Sequence, residues 1–179
     1  MKILKCDLKN ELKIRTQQDF PIKGVEFIDI TPLIIDKDLF REITDLFIKN
    51  IKGKKVDYIV APEARGFLFG ASVANDLNIG LIPVRKKGKL PPNSVAASFD
   101  YQKEYGLDTL ELPKLIDEEY KGKTFYIIDD IYATGNTMNV IEEAIKGLGG
   151  KVIGTGTVIN IKELNNNKKI YSIIDINED

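Results

Sequence analysis

No histidine occurs anywhere in the 179 residues, and this one absence removes more chemistry than any other feature of the chain. Ser-His-Asp and Cys-His catalysis are excluded, as is any histidine metal ligand. Acid–base work must fall to carboxylates, lysine, tyrosine or the substrate itself. Cysteine is nearly as scarce: the one copy, Cys6, cannot form an internal disulfide, and one thiol does not make a metal site. No apolar run approaches the roughly 20 residues that a bilayer span requires. The opening "MKILKCDLKNELK" is broken by charge where a secretory leader would carry its apolar stretch. Charge of one sign is lacking too: 26 basic against 27 acidic residues give no reason to expect nucleic acid or a membrane surface as partner. A cytoplasmic enzyme or binding protein is the class left standing.

What is present is ordinary in amount and informative in order. An apolar share of 43% and a charged share of 30% are those of a globular protein. The length suits one domain, residues 1–179, with a sizeable core. Residues 1–17 read as helix, and 19–32 as a loop with a short strand. From Asp38, taken as the N-cap, Leu39, Ile43, Leu46, Phe47 and Ile51 recur at helical spacing up to Gly53. Strand signals follow at 56–62, 79–85, 107–112, 124–129, 151–159 and 169–175, with helices over 66–78 and 136–148. "NNNKK" at 165–169 reads as an exposed turn. Apolar strands alternating with helices predict an α/β fold, a mostly parallel central sheet covered on both faces. Ligands of such sheets bind at the carboxyl ends of strands. Three of those ends are polar here: "APEARG", "RKKGK" and "DDIYATGNT".

The last is the most telling. In "YIIDDIYATGNTMNVI", a buried run ends in Asp129 and Asp130 and is followed by a small, hydroxyl-bearing turn, Ala133 to Thr137, that leads straight into a helix. A helix N-terminus offers N–H donors and partial positive charge to a phosphate. The two carboxylates suit either a pair of vicinal hydroxyls or a hydrated Mg²⁺. No lysine follows the glycine, so this is not a Walker A loop.

"YIIDDIYATGNT" resembles the phosphoribosyl-diphosphate (PRPP) motif of the type I phosphoribosyltransferases. "APEARGFLFG", "VRKKGKLP" and "DFPIKGVEFIDITPL" are similar to the adenine phosphoribosyltransferase branch, in the family's order from about Asp19 to Leu148. The resemblance implies a small hood over the base site, drawn mainly from about residues 1–35 and the C-terminal end, and a homodimer. It implies transfer of phosphoribose from PRPP to adenine, giving AMP and pyrophosphate, with Mg²⁺ as cofactor. Ala133, Thr134, Gly135, Asn136 and Thr137 would hold the 5′-phosphate, and Asp129 and Asp130 the ribose hydroxyls. Glu63, Ala64 and Arg65 would hold pyrophosphate through backbone N–H groups and the guanidinium, with a non-proline cis peptide at Glu63–Ala64. Arg85, Lys86 and Lys89 would meet the same diphosphate. Phe27 and Ile131 would sandwich the purine, while backbone groups of Glu26 and Ile28 read its amino edge. Residues 96–112 resemble a mobile catalytic loop, in which Glu104 would handle the purine N7 proton and Tyr105 cover the site.

Three positions depart from the family pattern: four residues instead of two separate Phe99 from Glu104, Ile28 stands where a basic residue is common, and Asn136 replaces a glycine. Two further readings remain beside the first: a phosphoribosyltransferase for hypoxanthine, guanine or xanthine, and a non-catalytic regulator of the same fold that binds PRPP or a nucleotide.

Overall fold

The near-continuous apolar runs become strands with both faces covered. The computed structural model describes residues 15–20, 23–24, 26–103, 106–165 and 168–176. The elements are β1 (Arg15–Gln18), β2 (Glu26–Asp29), α1 (Thr31–Ile35), α2 (Lys37–Ile51), β3 (Tyr58–Pro62), α3 (Arg65–Leu77), β4 (Gly80–Lys86), β5 (Val95–Lys103), β6 (Gly106–Pro113), β7 (Thr124–Tyr132), α4 (Asn136–Gly147), β8 (Lys151–Ile161) and β9 (Tyr171–Ile176). A seven-stranded sheet runs in the order β5-β6-β4-β3-β7-β8-β9. Strands β4, β3, β7, β8 and β9 are parallel, while β6 and β5 extend the sheet antiparallel. Strands β1 and β2 form a separate antiparallel pair.

Alternation along β7 explains why its run is unbroken. Tyr126 and Ile128 pack with Phe47, Phe69 and Val73 from α2 and α3 on one face. Phe125 and Ile127 pack with Met138, Ile141 and Ile145 of α4 on the other. A strand buried on both sides has no room for a polar alternate. The chain winds from β3 outward to β4 in one direction, and from β7 outward to β8 and β9 in the other. The sheet therefore reverses between β3 and β7, and an open α/β sheet leaves its crevice at such a point.

Several boundaries differ from expectation. Residues 15–18 are strand where helix was read, because they pair with β2 from Arg15↔Asp29 to Gln18↔Glu26; residues 1–14 lie outside the described set. Helix α2 is capped by Asp36, not Asp38: the Asp36 carboxylate accepts from the N–H groups of Asp38 and Leu39, placing Asp38 in the first turn. The segment 96–112, which the resemblance makes a catalytic loop, is largely strand among its described residues, with β5 and β6 paired from Val95↔Pro113 to Lys103↔Gly106. Lys168 is tethered rather than free in solvent, donating to Asn139 Oδ1 at 2.8 Å and to Glu142 Oε2. At the C-terminal end, β9 completes an edge of the central sheet.

Candidate active site

Two helices begin at the carboxyl edge on either side of the reversal, α3 after β3 and α4 after β7, and neither has a side-chain cap. The contrast with Asp36-capped α2 is informative, since the first N–H groups of a helix have no partner within it. Two helix starts of this kind, at the carboxyl edge on either side of the reversal, offer free N–H donors of the sort that suit anions.

At α4 the turn is shaped by Gly135, with φ +79°. A Cβ there would sit 2.1 Å from the Tyr132 hydroxyl, so the ring of Tyr132 fixes how close the turn lies to the strand end. Asn136 is the exposed first helical residue. The left-handed backbone falls on Gly135, so asparagine in place of glycine next door meets no conformational penalty. Ala133, Thr134 and Thr137 are half-buried around the turn.

Beside the turn lie the carboxylates. Asp130 is 5% exposed, and Arg65 Nε stands 2.7 Å from its Oδ2. That contact is close in distance but poorly directed, leaving Oδ2 without a hydrogen-bond donor. Asp129 keeps some exposed surface, yet its carboxyl is wedged beside Gly66 and accepts from the Asp130 N–H at 2.9 Å. Burial first, and the neighbouring Asp130 carboxylate second, hold the Asp129 carboxyl well above the usual aspartate range. A starved acceptor beside a crowded acid pair fits hydroxyl donors or a hydrated cation. Among the described residues, no group of three or more acidic, cysteine or histidine side chains could hold a metal alone. A Mg²⁺ here would take most of its ligands from substrate and water, which suits that ion.

At the end of β3 the Glu63–Ala64 peptide bond is cis, at the position the resemblance indicates. The Glu63 N–H is already bonded to Val84 O at 2.9 Å. Backbone donation to an anion therefore falls to the residues after it, not to Glu63. Its carboxylate takes the Arg85 Nε at 2.9 Å and the Lys86 N–H at 3.0 Å. The Arg85 hydrogen bond, followed by that from Lys86, holds the Glu63 carboxyl below its ordinary value. Glu63 is thus the post that aims Arg85, whose guanidinium also lies 5.8 Å over the Phe67 ring. Lys86 and Lys89 are exposed at the rim.

The two-stranded sheet supplies the remaining wall. Phe27 is half-buried, with Phe20 edge-on at 5.1 Å and the Arg65 guanidinium over its face at 5.3 Å. Arg65 also donates to Ile28 O at 3.3 Å. One arginine therefore links the aromatic ring, a backbone carbonyl and Asp130. The Ile28 side chain points into the core, packed in the same cluster as Ile131. The missing basic side chain at position 28 leaves a core contact in its place. Glu104 and Tyr105, and the Glu26 side chain, lie outside the described residues.

Three contributors escaped sequence reasoning: Gly66, whose lack of Cβ makes room for Asp129; Tyr132 beneath the phosphate-type turn; and Glu63 as a positioning carboxylate. A glycine directly after an arginine at a helix start was the only available signal for the first.

A reversed α/β sheet with two uncapped helix starts around an acidic strand end defines a class, and the class has a match. The family model described as "Phosphoribosyl transferase domain" covers residues 34–178, and the chain belongs to the phosphoribosyltransferases, enzymes that transfer a pentosyl group. Within them its kinship is with the adenine phosphoribosyltransferases. It is 46% identical over 162 residues to that protein from Brachyspira hyodysenteriae, covering 89% of this chain and 93% of the relative. It is 42% identical over 166 residues to the one from Clostridium novyi, covering 92% and 94%. Among solved structures, the adenine phosphoribosyltransferase of Thermoanaerobacter pseudethanolicus superposes with a TM-score of 0.84 at 40% identity, covering 93% of this chain and 99% of that one. The Saccharomyces cerevisiae enzyme, solved with adenine and an imino-altritol bisphosphate, gives 0.76 at 35% identity over 87% and 89%.

Proposed function

We propose that this chain transfers the 5-phosphoribosyl group from PRPP to adenine, releasing pyrophosphate and forming AMP in purine salvage. It does so as a single domain, residues 1–179, with the β1–β2 pair as hood, working as a cytoplasmic homodimer with Mg²⁺. The observation that carries the reading is the pair of uncapped helix starts with Asp129 and Asp130 between them. PRPP is an anion at both ends with two hydroxyls in the middle, and the crevice has the inverse pattern.

The turn Ala133–Thr137 takes the 5′-phosphate, and Asp129 and Asp130 accept from the ribose hydroxyls, supplying Asp130 Oδ2 with the donor it lacks. Ala64, Arg65, Arg85, Lys86 and Lys89 face the diphosphate. Mg²⁺, held through water by Asp129 or Asp130 and by the diphosphate, would neutralise charge on the leaving group. Phe27 and Ile131 flank the purine. Ile28 O, which takes the Arg65 guanidinium at 3.3 Å and keeps a second lone pair, accepts from the 6-amino group, while a backbone N–H of Glu26 or Ile28 donates to N1. A 6-oxo purine presents the wrong partners to both.

The reaction breaks the bond from C1′ to the diphosphate oxygen and makes one from C1′ to N9, through an oxocarbenium-like ribose as in glycoside hydrolysis. Purine N9 attacks as its N7 proton passes to Glu104. Tyr105 covers the site and limits capture of the cation by water. Arg65, Arg85 and Lys89 stabilise the charge that gathers on pyrophosphate. Positioning and fixed charge, with no covalent enzyme intermediate, supply most of the rate.

The test is pyrophosphate release with Mg²⁺ and PRPP, offering adenine, hypoxanthine, guanine and xanthine separately. Release with adenine alone is expected. Release with a 6-oxo purine would overturn the specificity, and PRPP binding without release would make the chain a regulator. In the same assay Glu104→Gln should lower turnover by about a hundredfold, the low end for a lost general acid–base group, while leaving PRPP affinity nearly unchanged.

A further inference from the structure

Outside the described site, one buried acid has no assigned task. Glu111 on β6 is 7% exposed. In the sheet it lies opposite Arg85 on β4 and Ser98 on β5. Arg85 does not neutralise it, since that guanidinium turns to Glu63. The Glu111 carboxylate instead reaches past the strand end and accepts from the Gly88 N–H at 3.2 Å. Among the described residues no cation stands within ion-pair distance of it. Burying a carboxylate against one neutral donor is costly, so Glu111 is a poor choice if the fold is all it serves.

The loop it grips is the one that carries Lys86, Lys87 and Lys89. Besides the Lys86 N–H bond to Glu63, three hydrogen bonds shape it among the described residues: Gly88 N–H to Glu111 Oε2, Lys87 N–H to Thr109 O at 3.0 Å, and Lys89 N–H to Lys86 O at 3.1 Å. Two of the three run to β6. We infer that Glu111 is the positioning residue of this basic loop, holding Gly88, with φ +76°, so that Lys89 is presented to the diphosphate of PRPP. The inference rests on the proposed assignment of 85–89 to that diphosphate. It also joins the loop to the strand that starts at Gly106, two residues after Glu104, so that the basic loop and the segment to which the acid–base role is assigned share one anchor.

Electrostatics gives the test its sign. Removing a carboxylate beside an anion site should, by charge alone, tighten anion binding. A positioning role requires the opposite for alanine and recovery for glutamine, which keeps the length and the acceptor oxygen. Calorimetric titration of the full chain with PRPP, inorganic pyrophosphate and AMP, each with Mg²⁺, separates the possibilities. Glu111→Ala should weaken PRPP and pyrophosphate about tenfold, the scale of one lost hydrogen bond that ordered a charged group. AMP, which lacks the diphosphate, should bind as to the wild type and serves as the check on folding. Glu111→Gln should bind both diphosphates as tightly as the wild type or more so.

Combining Glu111→Ala with Lys89→Ala should cost little beyond Lys89→Ala alone, because a misplaced lysine and an absent one are equivalent. Unchanged or tighter PRPP binding by Glu111→Ala, loss of AMP binding in parallel, or full additivity with Lys89→Ala would each overturn the inference while leaving the loop's assignment intact. Wild-type PRPP affinity in Lys89→Ala would remove that assignment, and the inference with it.

Discussion

At Gly66 the site and the fold compete for the same few ångströms. A Cβ on this residue would stand 2.9 Å from Asp129 Oδ1, 3.0 Å from Pro62 Cδ and 3.2 Å from Ile128 O. Two of those neighbours are held by the backbone, so the carboxylate is what would move. Gly66→Ala should therefore raise the KM for PRPP about tenfold or more while lowering stability by about 1–3 kcal/mol, the usual cost of overpacking. Steady-state kinetics and denaturant unfolding on the same preparation check both halves. Residues whose charge or missing side chain breaks a buried run were the legible ones in the sequence. Asp129, Asp130 and Gly135 stand out because charge and missing side chains are unwelcome at the end of a buried strand. Residues that act by making space or by aiming another side chain were not legible. Gly66 and Glu111 look like filler until the strands are aligned, because what sets them apart is a distance to something far away in sequence, to Asp129 and Gly88; Tyr132 passes for a core aromatic until the turn at Gly135 folds back on it.

Elements were read well where burial dictates a period and poorly where hydrogen bonding does. The runs at 58–62 and 124–132 and the stripe of α2 are hydrophobic signals, and they fell within a few residues of their true limits. Strand β6 carries its own signal at 107–112, but β5 was missed because "AASFDYQK" has small and polar residues where a core strand has large ones; its pairing comes from β6, not from its own pattern. Helix α2 was started two residues late because Asp36 and Asp38 are equally good caps in one dimension. A comparable local device joins β3 to β7. Asp57 accepts from both the N–H and the hydroxyl of Thr124, each at 2.7 Å. The Thr124 hydroxyl first, and its N–H second, hold the Asp57 carboxyl below its ordinary value. A depressed acid stabilises the fold above its unfolded value, near pH 4, and that support drains away as pH falls through the lower folded value. Asp57→Ala should thus cost about 1–2 kcal/mol at neutral pH, with the gap to wild type closing below about pH 4. Urea midpoints measured from pH 7 down to pH 3 would reveal the convergence; a constant gap would mean that packing is responsible.

Across the whole molecule, stability is unevenly shared. Strand β7 lies between β3 and β8 with its side chains in both core clusters. The β1–β2 pair has two strands of four residues, and every residue of β1 is exposed. A two-stranded sheet has little stability of its own. Amides of 26–29 should therefore exchange with solvent much faster than those of 125–128, by native-state hydrogen exchange. AMP should slow exchange at 26–29 selectively, because on the proposed assignment the base joins this flap to the crevice. Equal protection without ligand would show that the flap is held by more than Arg65 and Ile28.

The two uncapped helix starts behave as the jaws of a caliper. Each is fixed to a different strand of a rigid sheet, so their separation is a property of the fold and does not adjust to what lies between them. On the proposed assignment ribose 5-phosphate fills one jaw and pyrophosphate the other, and PRPP closes both at once. Tethering two weak anions at the preset span makes the joint affinity far exceed either part, as effective concentration dictates. When the bond between them breaks, that advantage ends at once. On that assignment each departing product keeps only one of the two jaws, so the geometry that selects the substrate would also favour product release.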